Sequence, residues 1–190
     1  LQIGPVVTDY DGTANKVIEL YREAAKNGAT IVVTPELIFP GYPPMDLLSD
    51  RPEVLARSLA AVERVREATK GWDVPLVVGH LDRTPGNDGR KIQNTYSIFV
   101  DGKKVHHYAK HLLPTYNVFD EMRYFEPGNE SHVFEWKGVK YGILICEDFW
   151  FLDDHDGRLI YKKDPMDNLL KEGAEVLISV SASPYTKHKR

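Results

Sequence analysis

Two kinds of apolar spacing take turns along this chain. Between residues 12 and 27, Ala14, Val17, Ile18, Tyr21, Ala24 and Ala25 recur three and four positions apart, the period of a helix packed by one face. Asp11 or Thr13 is placed to cap its start, and Gly28 to take the left-handed conformation that ends it. A second stripe of Val54, Leu55, Leu59, Val62 and Val65 predicts a helix over 52–68, and a third, short one covers 166–171. Between them lie apolar and β-branched runs at 30–34, 74–81, 95–100, 104–108, 141–145 and 175–180, which read as strands. Residues 1–5 read as the tail of a further strand. Asp101-Gly102 is the strongest kind of short hairpin signal, and Lys137-Gly138 is a similar one. Strands alternating with helices imply an α/β domain, and the hairpins make its sheet mixed.

Composition narrows the class. With 190 residues, 42% hydrophobic and 27% charged, the chain is long enough for one domain with a real core. A net charge of −4 without a basic run argues against nucleic acid or an anionic membrane as partner. No apolar stretch approaches the roughly 18 residues of a spanning helix, and Leu1 does not open a signal peptide. A single cysteine cannot form an internal disulfide, so a reducing, cytoplasmic setting is expected. The amino-terminal end reads as cut, with no initiator methionine ahead of that strand tail.

That lone cysteine is where the chemistry concentrates. The apolar run 141–145 stops abruptly at Cys146-Glu147-Asp148, two acids that do not belong in a core, which puts the thiol at a strand end. Such ends line ligand crevices in layered α/β folds. A packed core thiol is the equal alternative on local grounds. Glu36, after the run 31–35, and Lys110, after 105–109, also stand where a strand gives way to a loop. Each alone would be an ordinary exposed side chain. Together they offer a carboxylate to take a thiol proton and an ammonium to hold charge on a carbonyl oxygen, which a thiol of unperturbed pKa about 8.5 needs.

These three segments resemble the nitrilase, or carbon-nitrogen hydrolase, superfamily, whose catalytic set is Glu, Lys and Cys. Glu36-Leu37 with Gly41-Tyr42-Pro43-Pro44-Met45-Asp46-Leu47-Leu48, then Lys110-His111-Leu112-Leu113-Pro114-Thr115-Tyr116-Asn117-Val118-Phe119-Asp120-Glu121 with Arg123-Tyr124-Phe125, and finally Ser181-Ala182-Ser183-Pro184-Tyr185, look most like the glutaminase domains of glutamine-dependent NAD⁺ synthetases. The resemblance implies a four-layer α-β-β-α sandwich, truncated at both ends, in which 1–190 forms a single incomplete domain and the synthetase domain is absent.

It also implies roles. Glu36 would be the general base and Cys146 the nucleophile; Lys110, with the backbone N–H of Glu147, would stabilise the oxyanion. Glu121 would orient Lys110 and the substrate amide, with an ion pair to Arg123 as its other reading. Tyr42, Tyr116, Phe119 and Trp150 would wall the pocket, with ordinary core packing as the alternative. Ser183 and Lys189 would hold the amino-acid end of glutamine, although His188 stands where the family usually has glycine. No metal or cofactor is expected for the glutaminase step; ATP and Mg belong to the missing domain. Expected partners are glutamine, a synthetase domain in cis or trans, and further copies in a homo-oligomer.

Two rivals stay open: a stand-alone amidase or nitrilase of the same superfamily, and a non-catalytic assembly domain. Three other features carry nothing at this level. His106 and His107, adjacent in a strand, point to opposite faces and cannot jointly hold a metal. The acidic stretch 153–156 lacks calcium-loop spacing, and no glycine pattern matches a phosphate-cradling loop.

Overall fold

The structure, a computed structural model, describes residues 1–51, 53–86, 89–116, 119–150 and 161–183, with the side chains of 49 and 50 left out. In chain order it contains α1 (Tyr10–Lys26), β1 (Val32–Val33), α2 (Leu47–Asp50), α3 (Glu53–Ala68), β2 (Leu76–Arg83), β3 (Ile92–Val100), β4 (Lys103–Ala109), α4 (Glu121–Tyr124), β5 (Phe134–Trp136), β6 (Val139–Ile145), a 3₁₀ turn (Cys146–Phe149), α5 (Pro165–Lys171) and β7 (Val176–Val180). Among the described residues, no helix is long and apolar enough to cross a membrane.

Both long helices form where the apolar period predicts them, each burying one face. Tyr10, Thr13, Ala14, Val17 and Tyr21 of α1 are buried, as are Val54, Ser58, Ala61, Val62 and Val65 of α3. The cap of α1 differs from expectation. Asp9 rather than Asp11 or Thr13 accepts from Gly12 N at 2.9 Å, because Asp9 stands outside the first turn where its carboxylate reaches a free N–H. Asp11 instead pairs with Arg64, and Thr13 is buried. Residues 1–5 form no strand. The Leu1 amino group donates to Val33 O at 2.5 Å, but Pro5 lacks the N–H that a ladder would need.

The strands make two mixed sheets. The first runs β1-β2-β3-β4, with β1 and β2 parallel across the α2–α3 crossover and the other pairs antiparallel. The second runs β5-β6-β7, with β6 and β7 parallel across α5. Both hairpins turn where expected, with left-handed backbone at Asp101 and Gly102 and at Lys137 and Gly138.

Alternation along β2 and β3 then decides the layers. Leu76, Val78 and Phe99 face α1 and α3 in one core, whereas Val77, Tyr96 and Ile98 meet Ile143 and Ile145 of β6 in another. Tyr96 Oη donates to Ile143 O at 3.0 Å, a direct link between the sheets. On the far side Leu169 of α5 packs by Gly142, so the order is helices, sheet, sheet, helix. This is the expected four-layer sandwich.

Candidate active site

Three chain reversals bring the expected residues together. Glu36 follows β1 in a segment folded against β2: Gly79 N donates to Thr34 Oγ1 at 3.0 Å, and Ile38 N donates to Gly79 O at 2.9 Å. Only glycine fits there, since a Cβ at position 79 would lie 2.5 Å from Pro35 O and 2.9 Å from Glu36 Cα. Lys110 follows β4, its N–H donating to Asn94 O at 2.9 Å. Cys146 opens the 3₁₀ turn beyond β6 with a left-handed φ of 43°, a strained conformation for a residue with a Cβ and one that clusters at functional sites.

The charged groups form one buried network. Lys110 Nζ donates to Glu36 Oε1 at 2.8 Å and to Glu121 Oε1 at 2.9 Å. Asn94 Nδ2 also donates to Glu36 Oε1, at 2.8 Å, and Ala182 N donates to Glu36 Oε2 at 3.2 Å. Tyr42 Oη donates to Glu121 Oε1 at 2.9 Å. Glu36 and Lys110 are each 1% exposed, and Cys146 is 6% exposed. An ammonium taken out of water loses several kcal/mol of hydration, and only close, well-bonded counter-charges restore it. Although burial works against the charged form, the two carboxylates hold Lys110 well above its ordinary pKa, so it is a cation.

Cys146 lies close enough to this network that Glu36, Lys110, Glu121 and Glu147 all act on its thiol. Burial first, then the Glu36 carboxylate, pushes the thiol up to about 12, with Lys110 pulling the other way. Burial likewise raises Glu121, opposed by Lys110. Among the described residues, Glu121 Oε2 and Asn94 Oδ1 are buried with no hydrogen-bond partner. A buried acceptor left open costs about 1–3 kcal/mol, and a ligand N–H would satisfy one.

The walls follow in part. Phe119 packs between Tyr42 and Tyr116, with ring centroids 6.3 and 5.5 Å away. Tyr116 Oη donates to Glu147 Oε2 at 2.7 Å and Tyr161 Oη to Glu147 Oε1 at 2.9 Å, so the Glu147 side chain is tied down beside the thiol. Trp150 closes the 3₁₀ turn, its N–H donating to Glu147 O at 2.8 Å, and its side chain is 38% exposed. Ser183 is exposed, next to Ala182, whose N–H reaches Glu36. Lys189, Asn117, Val118, Pro184, Tyr185 and the stretch 153–156 lie outside the described residues. Of the two readings of Glu121, the geometry has the Lys110 pairing; Arg123 pairs instead with Asp46 at 3.3 Å.

Two network members escaped sequence reasoning. Asn94 is one of the consecutive buried polar residues at 93–95 of β3, a run that breaks the alternation and was the available signal. Asp148 is fully buried and accepts four hydrogen bonds: from Ile145 N at 3.2 Å, Tyr108 Oη at 2.8 Å, His111 N at 3.2 Å and Leu112 N at 2.8 Å. Burial pushes its carboxyl up to about 7 against the pull of those donors. Asp148 thereby clamps the turn that carries Cys146 to the loop that carries Lys110.

Comparison with known proteins matches this layout. A family model described as carbon-nitrogen hydrolase covers residues 1–154. The glutamine-dependent NAD(+) synthetase of Xylella fastidiosa is 40% identical over 179 residues, 93% of this chain and 30% of that protein. That of Thermotoga maritima is 34% identical over 184 residues, 97% of this chain and 29% of that protein. Among solved structures, glutamine-dependent NAD⁺ synthetase from Acinetobacter baumannii in complex with ADP superposes with a TM-score of 0.83 at 34% identity, covering 97% of this chain and 32% of that one. An amidase from Nesterenkonia sp. shares the fold, with a TM-score of 0.77 at 21% identity over 98% of this chain and 65% of that one. The chain thus spans about 30% of the length of the curated relatives it matches.

Proposed function

The chain belongs to the carbon-nitrogen hydrolase family, and on that premise we propose that it hydrolyses the side-chain amide of glutamine through a thioester on Cys146. The observation that carries this reading is the ammonium of Lys110, fully buried between Glu36 and Glu121 beside the thiol.

Burial and the Glu36 carboxylate keep the thiol protonated well above neutral pH, so free thiolate is not the working nucleophile. Glu36 therefore takes the proton as sulfur attacks the amide carbon. Such base catalysis contributes on the order of 10² to 10⁴ in rate. Charge develops on the amide oxygen, where Lys110 and the backbone N–H of Glu147 receive it; losing one such donor costs about 2.7–4 kcal/mol of barrier. The open acceptor Glu121 Oε2 takes an N–H of the amide. Glu36 returns its proton to the departing ammonia, leaving the γ-glutamyl thioester, and then deprotonates the water that hydrolyses it. Tyr42, Phe119, Tyr116 and Trp150 wall the substrate, and Ser183 and Lys189 belong to the end of the site that receives its amino-acid group.

Because the relatives are glutamine-dependent NAD⁺ synthetases, we assign the ammonia to a synthetase domain, in cis or trans, that amidates nicotinic acid adenine dinucleotide and uses ATP and Mg for that step. The glutaminase step itself needs no cofactor in this reading, and a homo-oligomer is the expected assembly.

The test incubates the protein with glutamine and with a panel of aliphatic amides, following ammonia and acid release, and treats it in parallel with a glutamine-shaped chloroketone. Preferred turnover of glutamine and a single adduct on Cys146 are expected. Turnover of other amides with indifference to glutamine would establish a stand-alone amidase. Folded protein with neither turnover nor adduct would establish an assembly domain.

A further inference from the structure

The face of the first sheet turned away from the second carries another group of side chains that the proposed hydrolysis does not use. On β2, His80 and Asp82 are two residues apart and so share a face; the register β2–β3–β4 sets Ser97 opposite Val78 and His107 opposite Ser97 on that same face. The ligating atoms of His80, Asp82 and His107 all lie within 4.8 Å of one another. Adjacent His106 goes the other way and stacks on Tyr96 at 5.9 Å, so it is the cross-strand neighbours of His107, not its chain neighbour, that complete the group.

We propose that His80, Asp82 and His107 form a binding site for a divalent transition-metal ion of the Zn²⁺ type, with solvent completing its shell. Four observations carry this beyond proximity. The first is the tautomer of His80. Its Nδ1 stands 2.6 Å from Leu81 O, a contact only an N–H can make, which leaves the lone pair on Nε2, facing the cluster. A backbone carbonyl holding the far nitrogen is the usual support of a metal-bound histidine.

The second is preorganisation at the closed end of the site. His80 is 2% exposed, and Ser97 Oγ lies 2.8 Å from its Nε2 and 3.2 Å from His107 Nδ1, which holds the two rings side by side; a metal ion would take the Nε2 lone pair in place of the Ser97 O–H. The third is exposure at the open end. Ligand atoms around a tetrahedral ion at about 2.1 Å stand roughly 3.4 Å apart, so some closure is needed; His107 is exposed and Asp82 half-buried, and in closing Asp82 Oδ1 would give up the hydrogen bond it accepts from Arg83 N at 2.7 Å.

The fourth is charge. Asp82 supplies the anion against nearby Lys104, whose ammonium opposes any cation. Two imidazoles and one carboxylate suit Zn²⁺, Co²⁺, Ni²⁺ or Cu²⁺, and not Mg²⁺ or Ca²⁺, which take oxygen ligands. Bound there, the ion would clamp β2 to β4 across β3.

The test strips the protein with a chelator and titrates Co²⁺, following the visible d–d bands, and then displaces it with Zn²⁺ and challenges it with Mg²⁺. One Co²⁺ per chain, displaced by Zn²⁺ and not by Mg²⁺, is expected. His107→Gln and Asp82→Asn should each weaken Zn²⁺ binding at least about tenfold, since even losing a residue that only supports a ligand costs that much. His132→Gln, at an exposed histidine elsewhere, and Cys146→Ala should leave binding intact. Zn²⁺ should raise the unfolding temperature of the parent and not of folded His107→Gln. The proposal is overturned if the parent shows no Co²⁺ bands, if binding survives both His107→Gln and Asp82→Asn, or if it disappears with Cys146→Ala or His132→Gln.

Discussion

Replacing Gly79 with alanine tests whether the position of Glu36 is set by backbone contact with β2. The new Cβ would stand 2.5 Å from Pro35 O, 2.9 Å from Glu36 Cα and 3.1 Å from Leu37 N. A relaxed carbon–oxygen contact is about 3.3 Å, so the segment has to retreat by about 0.8 Å, and the obstructing atoms are backbone that cannot rotate aside. A shift of that size carries Glu36 Oε1 from 2.8 Å toward about 3.6 Å from Lys110 Nζ, beyond hydrogen-bond range. A misplacement of about 1 Å at a reacting group costs on the order of 10²-fold. We therefore expect Gly79→Ala to lose about 10- to 100-fold in kcat/KM, mostly in kcat because Glu36 acts on the thiol proton, and about 1–3 kcal/mol in stability from overpacking. The assay is glutamate release from glutamine alongside thermal unfolding, with Gly4→Ala as control, since a Cβ there meets nothing within 4 Å. Folded Gly79→Ala protein within twofold of the parent kcat/KM would refute the reasoning.

Further substitutions probe the rest of the network. Glu36→Gln should lower kcat by about 10² to 10⁴ with the fold intact, as seen by circular dichroism beside the glutamate assay. Lys110→Met leaves two carboxylates buried without their cation, so it should destabilise by about 3–5 kcal/mol in urea titration; adding Glu121→Gln should recover part of that stability and none of the activity. Asp148→Asn removes a carboxylate that serves four donors and should cost about 2–4 kcal/mol while lowering kcat more than it raises KM, because the Cys146 turn loosens from the Lys110 loop. The pH dependence follows from the raised thiol: a group that holds its proton until about 12 stays neutral throughout pH 7–10, so iodoacetamide should modify Cys146 ever faster up to pH 10 without levelling off. A plateau near pH 8.5, the midpoint of an ordinary thiol, would contradict the burial argument.

Local order was legible in the residues themselves. The three- and four-residue period of Ala14, Val17 and Tyr21 specifies a helix whatever it packs against, and Asp101-Gly102 accepts the left-handed backbone that a two-residue hairpin needs. The strand-end placement of Glu36, Lys110 and Cys146 could be read for the same reason, since an apolar run that stops at a charge marks where a strand ends. What those positions do to one another was decided only by the pairing of strands and the stacking of sheets. Glu121 has Lys110 rather than Arg123 as its partner because Glu121 is the one buried residue of α4, and that depends on packing against a residue 11 positions away and others beyond. Asn94 and Asp148 look like surface polar residues until the two sheets close on each other. His80, Asp82 and His107 become neighbours through register alone. The period of side chains is a property of the local backbone and survives in any context; which faces meet is settled by burying apolar area from distant segments at once, and no short stretch of sequence contains that information.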